Sequence, residues 1–153
     1  MRKTILHGLA VALTLLITVQ GNAQDVIDLT TVDNPDILAD TLPDLASGSI
    51  VLLKPGMTYN AGSHGFDRSV TLQSSEPSNL NRPHIYCGDN FNFIDGATID
   101  SIIFKNLEFS GEYESKYVLN VDSSATVGKL AFIGCYIHDL RGVYRMKAGT
   151  GTL

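Results

Sequence analysis

Part of this chain is written twice. Residues 97–109, Ala-Thr-Ile-Asp-Ser-Ile-Ile-Phe-Lys-Asn-Leu-Glu-Phe, align with residues 125–137, Ala-Thr-Val-Gly-Lys-Leu-Ala-Phe-Ile-Gly-Cys-Tyr-Ile, at an offset of 28. Self-similarity at such a period marks an architecture of stacked units, each burying its apolar face against the next. In such a stack, functional groups sit on the outward side chains of the repeated strands.

The spacing inside each copy says what the unit is. Ile102 and Phe104 are two apart, as are Leu107 and Phe109, so each pair faces one side of a strand. Between Phe104 and Leu107 the spacing is three, and in a straight strand that slip would turn half of the apolar set to solvent. A corner at Lys105-Asn106 lets both pairs point inward. Asn and Gly are the residues that enter the left-handed conformation a sharp corner needs, and Gly134 stands at the Asn106 position of the second copy. Leu130/Phe132 and Cys135/Ile137 repeat the two-three-two pattern.

A third strand completes the unit. Residues 116–121 correspond to residues 141–146 at an offset of 25, so the preceding loop is three residues shorter in the second copy. Leu119/Val121 and Tyr144/Met146 are expected to face inward, and Asn120, Asp122, Arg145 and Lys147 outward. Three strands per turn, each stacked on its counterpart, predict an all-β, right-handed single-stranded parallel β-helix.

The remainder is consistent with that class. Asn34-Pro35-Asp36 reads as a helix start, with a capping side chain, a proline in the first turn and an acid at the positive end. Ile37, Leu38, Leu42 and Leu45 give this helix one apolar face, and Pro43 keeps it short or broken. A β-rich run, Ile50 to Leu53, ends in the turn Lys54-Pro55-Gly56. Val70-Thr71-Leu72 and His84-Ile85-Tyr86-Cys87 follow, separated by a Ser/Asn/Pro-rich surface loop over residues 74–83, and Phe91 and Phe93 come after the turn Gly88-Asp89-Asn90.

The first 23 residues read as an export signal: Arg2 and Lys3, an interrupted apolar run, then small residues at Gly21 and Ala23. The run is short for a bilayer span, which needs about 20 residues. Expected boundaries are a signal peptide over 1–23, a capping segment over 24–47 and β-helix turns over 48–153, with no transmembrane segment after cleavage. The location is then secreted, periplasmic or cell-surface. Removing the leader leaves nine Lys+Arg against sixteen Asp+Glu. An acidic exported chain without a basic block argues against nucleic acid as a partner. Cys87 and Cys135 read as two small buried thiols rather than a bridge, because the repeat places Cys135 where Leu107 sits.

With the corner asparagine and the segment Gly48-Ser49-Ile50-Val51-Leu52-Leu53-Lys54-Pro55-Gly56-Met57-Thr58-Tyr59 in view, the chain resembles the pectate-lyase-like superfamily of secreted β-helices. More narrowly it is similar to the N-terminal part of secreted bacterial β-helix domains linked to polysaccharide use. The resemblance covers residues 45–147 or so. Such domains run to more turns, so a longer domain, with decisive groups after Leu153, is expected. The resemblance implies a substrate groove over the sheet that holds Leu119 and Tyr144, and a polysaccharide as partner.

Stacking sets Asn120 beside Arg145 and Asp122 beside Lys147, about 4.8 Å between strands. A uronate lyase needs a cation to neutralise the sugar carboxylate and a base to take the neighbouring proton. Arg145 suits the first role and Lys147 the second, while Asn120, Asp122 and Arg145 are the expected substrate contacts. A glycoside hydrolase, a non-catalytic carbohydrate-binding module, or a structural segment of a surface adhesin, fits the same residues.

Other groups carry weaker signals. Side chains of neighbours on an extended chain diverge, so His138 and Asp139 are expected to make local loop bonds rather than one pair. His64 and His84 read as isolated, and no zinc motif, phosphate loop or nucleophile elbow is present. Asp89, Asp95 and Asp100 belong to different corners, whereas calcium prefers several oxygens from one turn. Calcium would find one available ligand instead in Asp122, in the groove. Tyr113 and Tyr117 are suited to stacking on sugar rings or on the turn below.

Overall fold

A computed structural model describes residues 24–122 and 124–147. The expected leader, 1–23, and residues 148–153 lie outside the described residues. The chain is an all-β parallel solenoid of about five turns with one short helical segment.

β1 (Val26–Asp28) pairs with the first full turn. The helix α1 (Ile37–Thr41) runs into a 3-10 turn at Leu42–Asp44, where Pro43 removes the N–H that would extend it. The Asn34 side chain accepts the Asp36 N–H at 3.0 Å, one position before the helix. Leu38, Leu42 and Leu45 are buried, so this cap is held by its one apolar face.

Strands then recur turn by turn: β2 (Ser49–Leu53), β3 (Thr58–Asn60) and β4 (Gly65–Phe66); β5 (Val70–Ser74), β6 (His84–Cys87) and β7 (Asn92–Phe93). β8 (Thr98–Ile99), β9 (Ile102–Lys105), β10 (Glu108–Gly111) and β11 (Tyr117–Val121) follow. β12 (Thr126–Val127), β13 (Leu130–Ile133), β14 (Tyr136–Ile137) and β15 (Gly142–Met146) end the described stack. Every pairing between them is parallel: β1-β2-β5-β9-β13 form one sheet, β3-β6-β10-β14 a second, and β11-β15 lie on the third side.

The repeat read from the sequence is the register of the fold. Ile102 pairs with Leu130, Glu108 with Tyr136 and Thr98 with Thr126, all at the 28-residue offset, and Asn120 pairs with Arg145 at 25. The corner falls where the slip requires it: Asn106 has φ 54° and Gly134 φ 63°. Between the two corners, Asn106 N–H donates to Ile133 O at 2.8 Å and Tyr136 N–H to Leu107 O at 2.9 Å.

Inside, the turns stack phenylalanines. Phe104 is fully buried, lies nearly parallel to Phe132 at 4.9 Å and meets Phe109 edge-on at 5.4 Å. Phe66 and Phe91 extend the column. Each such ring contributes about 1.5–3 kcal/mol by burial, and each aromatic pair roughly 0.5–1.5 kcal/mol more. Tyr59 is buried too, its hydroxyl accepting the Lys54 N–H at 2.9 Å.

The second copy is less covered than the first. Leu107, Phe109, Leu119 and Val121 are buried, whereas Leu130, Phe132, Cys135, Ile137 and Tyr144 are half-buried and Met146 is 40% exposed. The inward pattern is the same in both copies. The difference is that no further described turn stacks on β13, β14 and β15. Cys135 is therefore not the fully buried residue its Leu107 counterpart suggests. Both cysteines are free thiols, and burial pushes Cys87 up to about 12.

Candidate functional site

The side of the solenoid formed by β11 and β15 carries the groups expected from the sequence. Its outward positions form two cross-turn rows. In one, Asn92 Nδ2 donates to Asp122 Oδ1 at 2.5 Å, and Lys147 Nζ donates to Asp122 Oδ2 at 3.0 Å. These bonds hold the Asp122 carboxyl below its usual range, Lys147 being the larger cause. In the other row Asn120 stands opposite Arg145. The Asn120 Oδ1 is shielded from solvent with no hydrogen-bond partner.

The Arg145 guanidinium instead lies over the Tyr117 ring, 5.8 Å from its centre, and Arg141 lies 5.9 Å from the same centre. Gly142 explains the seat: a Cβ there would crowd the Tyr117 ring at 3.2 Å, so the ring covers the glycine and two arginines flank it. Among the described residues, neither guanidinium has a carboxylate partner. Lys116 reaches Asp89 at 3.4 Å on the same side. Four cations and two carboxylates thus give a locally basic strip on a chain of net charge −5. Of the expected residues, Asp122 and Lys147 are brought into contact, while Asn120 and Arg145 are neighbours by register. Tyr117 and Arg141 complete the strip, and Tyr113 stands apart as an exposed loop residue.

A second cluster was not legible in the sequence. On the outer face of β3-β6-β10-β14, Thr58, His84, Glu108 and Tyr136 share one register row. His84 is not isolated: its Nε2 meets Ser110 Oγ at 2.7 Å, and its Nδ1 meets Thr58 Oγ1 at 3.2 Å. Burial lowers its pKa, partly opposed by Glu108. His138 crosses to Glu108 Oε1 at 3.0 Å and also pairs with Asp139 Oδ2 at 2.8 Å. The adjacent pair forms because Asp139 adopts φ 49°, which swings its carboxylate back towards the ring instead of away from it. Glu108, then Asp139, raise the His138 pKa.

A groove of about 530 Å³ lies between the cap and the first turn, lined by His64, Gly65, Asp67, Arg68 and Ile94 among others. Arg68 is committed there to Asp67 at 2.5 and 2.8 Å and to Leu45 O at 2.7 Å, so its charge serves the seam. His64 stands edge-on to Phe66, and burial lowers its pKa.

For calcium, Asp122 is taken by Lys147 and Asn92, Asp95 accepts the Ser124 N–H at 2.8 Å, and Asp89 faces Lys116. Among the described residues no group of three or more His, Cys, Asp or Glu is placed to hold a metal ion. No described helix is long and apolar enough to cross a membrane. The chain matches no protein-family model, no curated protein and no solved structure.

Proposed function

We propose that the protein is an exported β-helix module that binds an acidic polysaccharide along the outer face of β11 and β15. The observation that carries this is the pair of guanidiniums on Tyr117, two cations without carboxylate partners among the described residues of an otherwise acidic chain. A guanidinium presents a planar fork of donors that matches a carboxylate two bonds at a time. Arg141 and Arg145 lie four residues apart on one turn, so the two forks meet at the same Tyr117 ring and offer an anionic sugar paired donors there. The Lys147–Asp122–Asn92 row fixes the strip's edge.

Binding fits this geometry better than elimination does. A lyase would use Arg145 on the sugar carboxylate and Lys147 as base, but the Lys147 ammonium donates to Asp122 and would have to give up its proton there. Calorimetric titration with polygalacturonate and with its methyl ester separates the possibilities. The polyanion is expected to bind, more weakly as salt rises, with its affinity reduced tenfold or more in the Arg141→Ala/Arg145→Ala double variant. Equal binding of the ester, or no effect of the double variant, removes the proposal. New ultraviolet absorbance from an unsaturated uronide, lost in Lys147→Ala, would establish the lyase instead.

A further inference from the structure

On the second sheet, Ser110 lies two residues beyond the register partner of His84 on the neighbouring strand, and nothing in the polysaccharide-binding strip uses either. We propose that Ser110 is a nucleophile, His84 its general base and Thr58 the group that orients His84, together forming a site that hydrolyses small acyl esters. The geometry is the signature of an activated hydroxyl: nucleophile and base within hydrogen-bond reach, and the base held by a third group.

One tautomer of His84 makes these bonds productive. Ser110 Oγ lies 2.7 Å from His84 Nε2 and Thr58 Oγ1 3.2 Å from His84 Nδ1. In the neutral tautomer with the proton on Nδ1, that N–H donates to Thr58 and leaves Nε2 to accept from the serine. Burial disfavours the charged ring, which keeps the imidazole ready to accept a proton near neutral pH. Stacking explains how three strands supply three groups. Thr58 and His84 are register partners on β3 and β6, while Ser110 lies two residues beyond the His84 partner Glu108 on β10, on the same face.

The chemistry closes. Ser110 Oγ attacks the ester carbonyl as its proton passes to His84 Nε2, and the alcohol leaves with that proton, giving acyl-Ser110. Water then loses a proton to His84 and attacks the acyl carbon. The carboxylic acid departs and Ser110 recovers its proton. The neighbouring backbone N–H of Gly111 is spent on Asp139 O at 3.2 Å and offers nothing to a developing oxyanion. The expected rate gain is therefore that of base-assisted attack, about 10²–10⁴-fold.

A fluorophosphonate probe tests the pair directly, because serine attack at phosphorus expels fluoride and leaves a stable adduct. Peptide mapping of the folded protein is expected to place the adduct on Ser110. It should be absent in Ser110→Ala and at least tenfold slower in His84→Gln. Thr58→Val should slow labelling and shift its pH profile, while exposed Leu80→Ala should change neither. Urea midpoints equal to the parent's show that the variants fold. Acetyl-ester turnover should follow the same order. No adduct on Ser110, or one formed equally fast in His84→Gln, overturns the proposal, since a serine without its base has no reason to react.

Discussion

Replacing Gly134 by alanine tests the corner on which the fold depends. Gly134 sits at φ 63°, where a Cβ costs about 1–2 kcal/mol. The new Cβ would also press on Oδ1 of Asn106, the movable end of a side chain, so Asn106 turns aside and no backbone has to shift. Against this, alanine restricts the unfolded chain and returns about 0.4–1 kcal/mol. The net expectation is a loss of about 1 kcal/mol. With a urea slope of about 1–3 kcal/mol per molar, the midpoint falls by roughly 0.3–1 M. Gly134→Asn, which copies the residue at the first corner, should lose only a few tenths of a kcal/mol, since Asn tolerates the left-handed region. Amide exchange at Tyr136, whose N–H crosses the corner to Leu107 O, reports the same order locally. An alanine variant as stable as the parent, or an asparagine variant no better than alanine, would refute a corner set by left-handed backbone.

Phe104→Ala removes the ring at the centre of the aromatic column and should cost about 3–5 kcal/mol, read as a large fall in the urea midpoint. His138, with its pKa raised by Glu108 and Asp139, stabilises the fold at pH below the ordinary histidine value near 6.5 and loses that contribution as pH climbs through its raised value. His138→Gln should therefore lower the thermal midpoint between about pH 5 and 6.5 and have less effect in alkaline buffer. His84 and His64 carry the opposite sign, being held neutral by burial, so their contribution fades as pH falls below about 6.5. Cys87, at about 12, should resist a thiol reagent in the native state, and half-exposed Cys135 should be the residue that reacts first.

The sequence revealed most where the chain repeats itself. The two-three-two spacing, the offsets of 28 and 25 and the Asn106/Gly134 corner all became strand register, because a buried apolar pattern leaves each strand one way to face. Asp122 and Lys147 followed directly, since register alone puts them side by side. Arg145 did not: its long side chain leaves its register partner Asn120 and reaches Tyr117, a choice made by the bare backbone of Gly142. His84 meets Thr58 and Glu108 through offsets of 26 and 24, in turns whose sequences share no visible repeat, so their juxtaposition left no trace along the chain. His138 and Asp139 pair, against the divergence of extended neighbours, for a different reason. One residue at positive φ reverses the divergence of neighbouring side chains, and aspartate is among the residues that enter that region.

Hydrogen–deuterium exchange with and without polygalacturonate tests the binding face most directly. New protection is expected over residues 116–122 and 141–147, where Tyr117, Asn120, Arg141 and Arg145 lie, with the sheet holding His84 and Ser110 unchanged. Protection confined to that other sheet, or none in either segment at saturating polymer, would contradict an acidic-polysaccharide site on β11 and β15.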